Sequence, residues 1–498
     1  MARVHKHCVI GHGLTGTATC KYLAKAGEDV VLVGPSEGHG AHGACYDEGR
    51  IYRILDPLES WARLAERSIE NYSSIVDESG VDFYQESGLL IFGVEDDFVR
   101  QTREIASRMG THLEELSPEQ LVAHFPWLSP PAVTRVGLLQ LQKAGHLSPR
   151  KLTAAQLSLA TQHGAAYVDD SVASVMRETD DGPFSVFLSG GGCIRAENVL
   201  VAAGVYTSVL PLLPEQVVVN LTGAQALLAE ISAEDASILS VMPSMIYEGQ
   251  SDEECFYLLP PIQYPDGSWL LKIGPSTTFA PPLKTVGDVD TWFRQGHLDP
   301  AFEKVAWKAL HDMFPQITIR SWRALLCVTD STPTQNAYID LLSPGWGICS
   351  GGNGLAAKSS DEIGHLAAQM MALPSHWGPD PQLPHEWFRA VTPGSLLPTP
   401  QLETALAKVE SCGEVLSSRV VDALKALTDL LAATPKLRAH ADGVAQELRA
   451  VLATRWGAAP SVFCCTSAKS RGGTAWAPAH PFIVLVSGSL SVIVIVPA

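Results

Sequence analysis

The chain has 498 residues, more than one ordinary core accommodates, since single cores stop growing near about 250–300 residues; two or three domains are expected. Hydrophobic residues at 46% and charged residues at 18% exclude a disordered or fibrous chain. A net charge of −18, from 35 Lys and Arg against 53 Asp and Glu, excludes nonspecific nucleic-acid binding, because phosphates must be met by cations.

The first element is read at residues 7–10, a buried strand running into Gly11-His12-Gly13-Leu14-Thr15-Gly16; residues 17–26 then have helical spacing and 29–33 read as a second buried strand. This is G-x-G-x-x-G in a strand–turn–helix–strand setting, where glycines let the backbone approach a pyrophosphate stabilised by the helix N-terminus. The acid expected at the end of the second strand, to hold a ribose hydroxyl, is replaced by Gly34; Ser36 and Glu37 are the candidates to take its place. No secretory leader is expected ahead of this strand, and ten scattered Cys without a C-x-x-C pair point to reduced thiols and a cytoplasmic setting.

Further along, Asn198-Val-Leu-Val-Ala-Ala-Gly204 ends in small residues, as a strand passing beneath a bound cofactor does; an ordinary buried strand closed by a Gly turn would read the same way. Lys272 stands in the apolar run Trp269-Leu-Leu-Lys-Ile-Gly, where a cation is costly unless partnered or able to reach solvent from an edge strand. Cys327, in Ala324-Leu-Leu-Cys-Val, reads on its own as an inert core thiol.

These segments together resemble the D-amino-acid-oxidase-like flavoproteins, in the branch of monomeric sarcosine oxidase and N-methyltryptophan oxidase. The anchors are Gly11–Gly16, Cys45-Tyr-Asp-Glu-Gly-Arg-Ile-Tyr-Arg53, residues 81–93, Gly145-His-Leu-Ser-Pro149, the Gly204 strand, Leu270-Leu-Lys272-Ile-Gly, Arg323-Ala-Leu-Leu-Cys327 and Gly352-Asn-Gly354, in that order from about His7 to Met371. The resemblance implies an α/β fold in which a Rossmann-like FAD-binding domain is interleaved with a mixed-sheet substrate domain. It implies FAD, held by Gly11, Gly13, Leu14, Thr15, Gly16, Ser36, Tyr46, Arg50, Gly204, Gly352, Asn353 and Gly354, with a thioether from Cys327 to the flavin. It further implies oxidation of the C–N bond of a small carboxylated amine, an amino acid or N-methyl amino acid, with O2 reduced to H2O2. Lys272 would serve the oxygen reaction, Arg50 would lie over the flavin, Arg53 and Lys358 would bind the substrate carboxylate and Tyr257 would line the pocket. A dehydrogenase using another acceptor is the alternative within the same chemistry.

Three departures separate the chain from sarcosine oxidase itself: Tyr46, Ser276 and Asn353 stand where the family pattern has histidines. Gly354-Leu-Ala-Ala-Lys358 also shifts its lysine by two positions from the family's Gly-Phe-Lys. His39, His42 and Cys45 belong to the flavin-side loop, and no metal is expected.

Residues 395–498 carry nine Lys or Arg and seven Asp or Glu, a change of sign that follows Pro-rich and turn-rich stretches and marks a boundary. The expected organisation is an oxidoreductase over 1–391, a linker over 392–412 and a small α+β domain over 413–498. In that tail, residues 415–431 and 441–456 have helical spacing, and Phe482–Val486 and Leu490–Val496 flank Ser487-Gly488-Ser489 as a hairpin would, not as a membrane anchor. The tail resembles a small dynein light chain, which implies a homodimer or a dynein-complex partner. An interaction protein with a non-catalytic oxidase-like scaffold is the reading from another class.

Overall fold

The computed structural model describes residues 3–37, 42–179, 182–276, 282–372 and 380–393, together with the backbone of three strands beyond 460. Two units are distinguished, residues 1–332 with 336–390, and residues 333–335 with 391–498.

In the first unit, β1 (Val4–Ile10) is buried along its second half, and β2 (Val30–Val33), Val-Val-Leu-Val, is buried throughout. A strand apolar on both faces belongs in the centre of a parallel sheet covered by helices. β1 pairs in parallel with β2 and with Cys193–Val201, in an eight-stranded sheet ordered Val172–Arg177, Phe184–Leu188, Cys193–Val201, β1, β2, Ala166–Val168. Trp346–Ser350 joins parallel to Cys193–Val201, and Tyr338–Ser343 pairs with it.

Between β1 and β2, helix α1 (Leu14–Lys25) begins with Gly13 as N-cap, three residues earlier than its apolar spacing predicts. It stops where Gly27, at φ +80°, turns the chain. Its buried face meets the helix Ala356–Ala372 so closely that a Cβ on Gly364 would lie 2.4 Å from Cβ of Ala18. Across that contact Lys21 Nζ is 2.6 Å from Asp361, whose carboxylate also accepts from Tyr22, Gln156 and Asn71. Removing either buried charge would strand the other, which locks the two helices in register.

The second sheet has nine strands. Its longest pairing is antiparallel, Asn220–Ile231 with Ser321–Ser331, which sets Ala224 opposite Cys327. Trp269–Pro275, carrying Lys272, lies between Asn220–Ile231 and Phe256–Gln263, so Lys272 is on an interior strand and not at an edge. Because the first sheet draws on residues 4–33, 166–201 and 338–350 and the second on 89–140 and 220–331, the two are interleaved along the chain. A short third sheet joins Arg50–Tyr52, Gly145–Leu147 and Tyr84–Gln85.

In the second unit, Ser461–Cys465, Phe482–Ser487 and Leu490–Ile495 form an antiparallel sheet, with Ser487 opposite Leu490 in the expected hairpin. The helices expected at 415–431 and 441–456, and the linker beyond residue 393, lie outside the described residues. No helix among the described residues is long and apolar enough to cross a membrane.

Candidate active site

A crevice of about 380 Å³ opens at the carboxyl ends of β1 and β2, walled by Gly11, Gly13, Leu14, Thr15, Gly34, Tyr46, Gly204, Asp330, Ser350 and Gly352 among others. The glycines of the turn divide the work. A Cβ on Gly11 would stand 2.2 Å from the carbonyl oxygen of Ala202, and one on Gly16 would stand 1.9 Å from that of Gly11, so both serve close packing. Around Gly13 nothing lies within 4 Å of a Cβ position. Gly13 also provides no side-chain cap, which leaves the first N–H groups of α1 directed at the crevice, the arrangement that binds a pyrophosphate. On the far wall the carboxylate of Asp330 accepts from the N–H groups of Gly351 at 2.8 Å and Gly352 at 3.0 Å. The strand expected to run to Gly204 ends at Val201, because Gly204 takes φ +55° and opens a single 3-10 turn to Ser208.

Beside the crevice is a buried cluster centred on Asp47. Its carboxylate accepts from Lys272 Nζ at 2.7 Å, from Tyr264 at 2.8 Å and from the Arg50 guanidinium. Lys272 also donates to the carbonyl of Gly49 at 2.9 Å. Burial, with Arg50 nearby, pushes the Lys272 ammonium well below the ordinary lysine range; the Asp47 carboxylate stabilises the charged form by direct contact. Tyr257 has its ring 5.8 Å from Lys272 Nζ, and lies across Gly274, where any Cβ would meet the ring at 2.3 Å. Cys327 is close enough to Cys45, Tyr257 and Lys272 to perturb their ionisation, and its carbonyl accepts from Trp292 at 2.7 Å.

A second cluster is centred on Asp56. Arg53 Nη2 is 3.1 Å and Lys358 Nζ 3.3 Å from its carboxylate, while Arg53 Nε donates to the carbonyl of Leu55 at 2.6 Å. Burial lowers Lys358 to about 8 against the support of Asp56. Glu248, within electrostatic reach of Arg53, is raised by burial to about 7.

Residues 6–370 match the DAO family model, described as FAD dependent oxidoreductase. The chain belongs to this family. Among relatives of this DAO-family chain, N-methyl-L-tryptophan oxidase of Escherichia coli (strain K12) is 25% identical over 222 residues, 42% of this chain and 56% of that protein. The chain thus spans about half the length of the curated relatives it matches. Two solved structures share the fold. NikD, an unusual amino acid oxidase essential for nikkomycin biosynthesis, has a TM-score of 0.63 at 20% identity, covering 79% of this chain and 98% of its own. L-proline dehydrogenase from P. horikoshii has a TM-score of 0.62 at 18% identity, with 78% and 97% covered.

The family's FAD fits what these residues offer, an open glycine turn at a helix N-terminus and a cavity that runs from it to Gly352. Of the DAO-family positions read from the sequence, Gly11, Gly13, Leu14, Thr15, Tyr46, Gly204 and Gly352 are on the crevice wall. Gly16 packs beneath the turn, Ser36 bonds Asp169, and Arg50 is held by Asp47. Asn353, at φ +50°, clamps its own loop through Thr332 and Gly351. Gly354, at φ +72°, follows it, and Cys327 immediately precedes the wall residue Val328. Lys272, Arg50 and Tyr257 come together, and so do Arg53 and Lys358, despite the shifted lysine. Asp47, Asp56, Asp330 and Glu248 were not singled out in the sequence, where nothing distinguishes them from surface acids. No group of three or more His, Cys, Asp or Glu suited to a metal occurs among the described residues, and His39 lies outside them.

Proposed function

We propose that this DAO-family chain oxidises the C–N bond of an amino acid or N-methyl amino acid to the imine, and passes the electrons to O2 as H2O2. Bound FAD would supply the hydride acceptor. The observation that carries the reading is Lys272, an interior cation held by Asp47 and Gly49 beside Tyr257 and Cys327. Fixed there, the ammonium stabilises negative charge developing on dioxygen without reorganising at the moment of reaction. Arg53 and Lys358, which converge on Asp56 from distant segments, are the cationic pair assigned to a substrate carboxylate. Tyr257, positioned by Gly274, closes the pocket on the side of Lys272. Cys327 is the residue proposed to carry FAD covalently. The likeness to N-methyl-L-tryptophan oxidase supports the substrate class.

For the tail we keep the light-chain-like reading, in which the module dimerises or docks on a dynein complex in the cytoplasm; co-sedimentation of the full chain with dynein tests it. The deciding experiment for the catalytic unit is a peroxide screen of the purified yellow protein against amino acids, N-methyl amino acids and their decarboxylated counterparts. Peroxide from the carboxylated amines alone is expected. Dye reduction without oxygen uptake would transfer the chain to the dehydrogenases, and a colourless protein inert to all of them would defeat the catalytic reading.

A further inference from the structure

In a strand–turn–helix–strand dinucleotide site the acid that holds the ribose hydroxyls stands at the end of the second strand. That place is closed to any side chain here, because a Cβ on Gly34 would stand 2.4 Å from the backbone nitrogen of His12 and 2.9 Å from its Cβ. β2 pairs in parallel with Ala166–Val168, setting Val33 opposite Val168, and the Gly34 N–H donates to the Val168 carbonyl at 3.1 Å. The next residue, Asp169, is therefore level with Gly34, one strand further out.

Its side chain is exposed, and its two carboxylate oxygens accept from the backbone N–H and the hydroxyl of Ser36, each at 2.7 Å. The chain flanking both residues, Gly34 and Pro35 on one side and Ser171 and Val172 on the other, forms the crevice wall. Glu37, the other acid near the end of β2, is paired with Arg150. An ionised carboxylate accepts from several donors at once, as Asp169 does from the Ser36 N–H and hydroxyl, and a ribose hydroxyl is a donor of the same kind. We propose that Asp169, from the neighbouring strand, replaces the missing acid and holds the adenosine ribose of FAD, with Ser36 as its positioned companion. The inference rests on the family's dependence on FAD and not on the substrate reading.

The test needs no turnover. Flavin-free protein from riboflavin-starved expression is titrated calorimetrically with ADP and with 2′,3′-dideoxy-ADP. Wild type should bind ADP about tenfold or more tightly than the dideoxy analogue, as expected for hydrogen bonds to a charged acceptor. Asp169→Ala and the near-isosteric Asp169→Asn should lose most of that preference. Asp170→Ala, which removes the carboxylate that caps the Gly190 turn, should keep it. Circular dichroism matched to wild type establishes that the variants fold. Equal binding of the two ligands by wild type, or an undiminished preference in Asp169→Ala, would overturn the assignment. A protein isolated yellow with FAD that gives either result loses this inference alone, whereas a protein that never takes up FAD loses the cofactor reading too.

Discussion

Replacing Asp47 by Asn keeps the size of the side chain and deletes the negative charge that contacts both Lys272 and Arg50. Lys272 is 2% exposed and cannot turn to water, so its ammonium would be left buried, with neutral acceptors only. Removing one partner of such a pair costs about 3–5 kcal/mol. Arg50 is less deeply buried than Lys272 and adds little after solvent screening, while Tyr264 can still donate to the Asn oxygen, so we expect a loss of about 3 kcal/mol. Urea unfolding at fixed flavin saturation measures it, and the decisive comparison is a double-mutant cycle with Lys272→Met. Once the cation is gone, Asp47→Asn should cost about 1 kcal/mol or less, the share of an ordinary hydrogen bond. The same cost in both backgrounds would show that Asp47 stabilises its loop without pairing Lys272, and the reasoning would fail.

The Lys272→Met variant should slow reoxidation of reduced flavin by orders of magnitude while anaerobic reduction by substrate suffers less, as stopped-flow traces of the two half-reactions would show; equal losses in both refute the assignment. Acid-precipitated wild type should stay yellow and Cys327→Ala should release its colour to the supernatant, a colourless wild-type pellet rejecting the thioether. Burial raises Glu248 from 4.5 to about 7, so between those values the fold retains a proton that the unfolded chain has released. Its contribution is complete below about pH 4.5 and is lost as pH rises through 7. Melting temperatures of wild type and Glu248→Gln should change with different slopes between about pH 4.5 and 7 and run parallel outside that window, parallel profiles throughout being the contrary result.

The nucleotide-binding turn was legible because each of its glycines answers a local demand, a tight turn or a close approach, that spacing records. Lys272 was legible for the opposite reason: a cation in an apolar strand violates the local pattern, and violations mark partners. The partner itself was not legible. Asp47 is 225 positions away along the chain, in a polar loop where an acid needs no explanation, and its bond to Lys272 exists only in the folded packing. Asp56 is hidden in the same way, and it alters the meaning of Arg53 and Lys358, whose mutual approach was expected but whose bridging carboxylate was not. The early start of α1 was missed because its first turn is closed by the Gly13 carbonyl, which accepts from the Thr17 N–H at 3.0 Å and the Thr17 hydroxyl at 2.8 Å, a backbone signal that apolar spacing does not record.

The interleaving of the two sheets sets an order of events on the ribosome. The glycine turn is made within the first thirty or so residues, but the wall it faces comes from Asp330, Ser350 and Gly352, and the helix that clasps α1 extends to Ala372. A growing chain thus carries half a cofactor site through most of its synthesis and completes it only after that helix has left the exit tunnel. A chain interrupted before Ser350 and the helix Ala356–Ala372 therefore lacks both the far wall of the crevice and the Asp361 partner of Lys21 in α1.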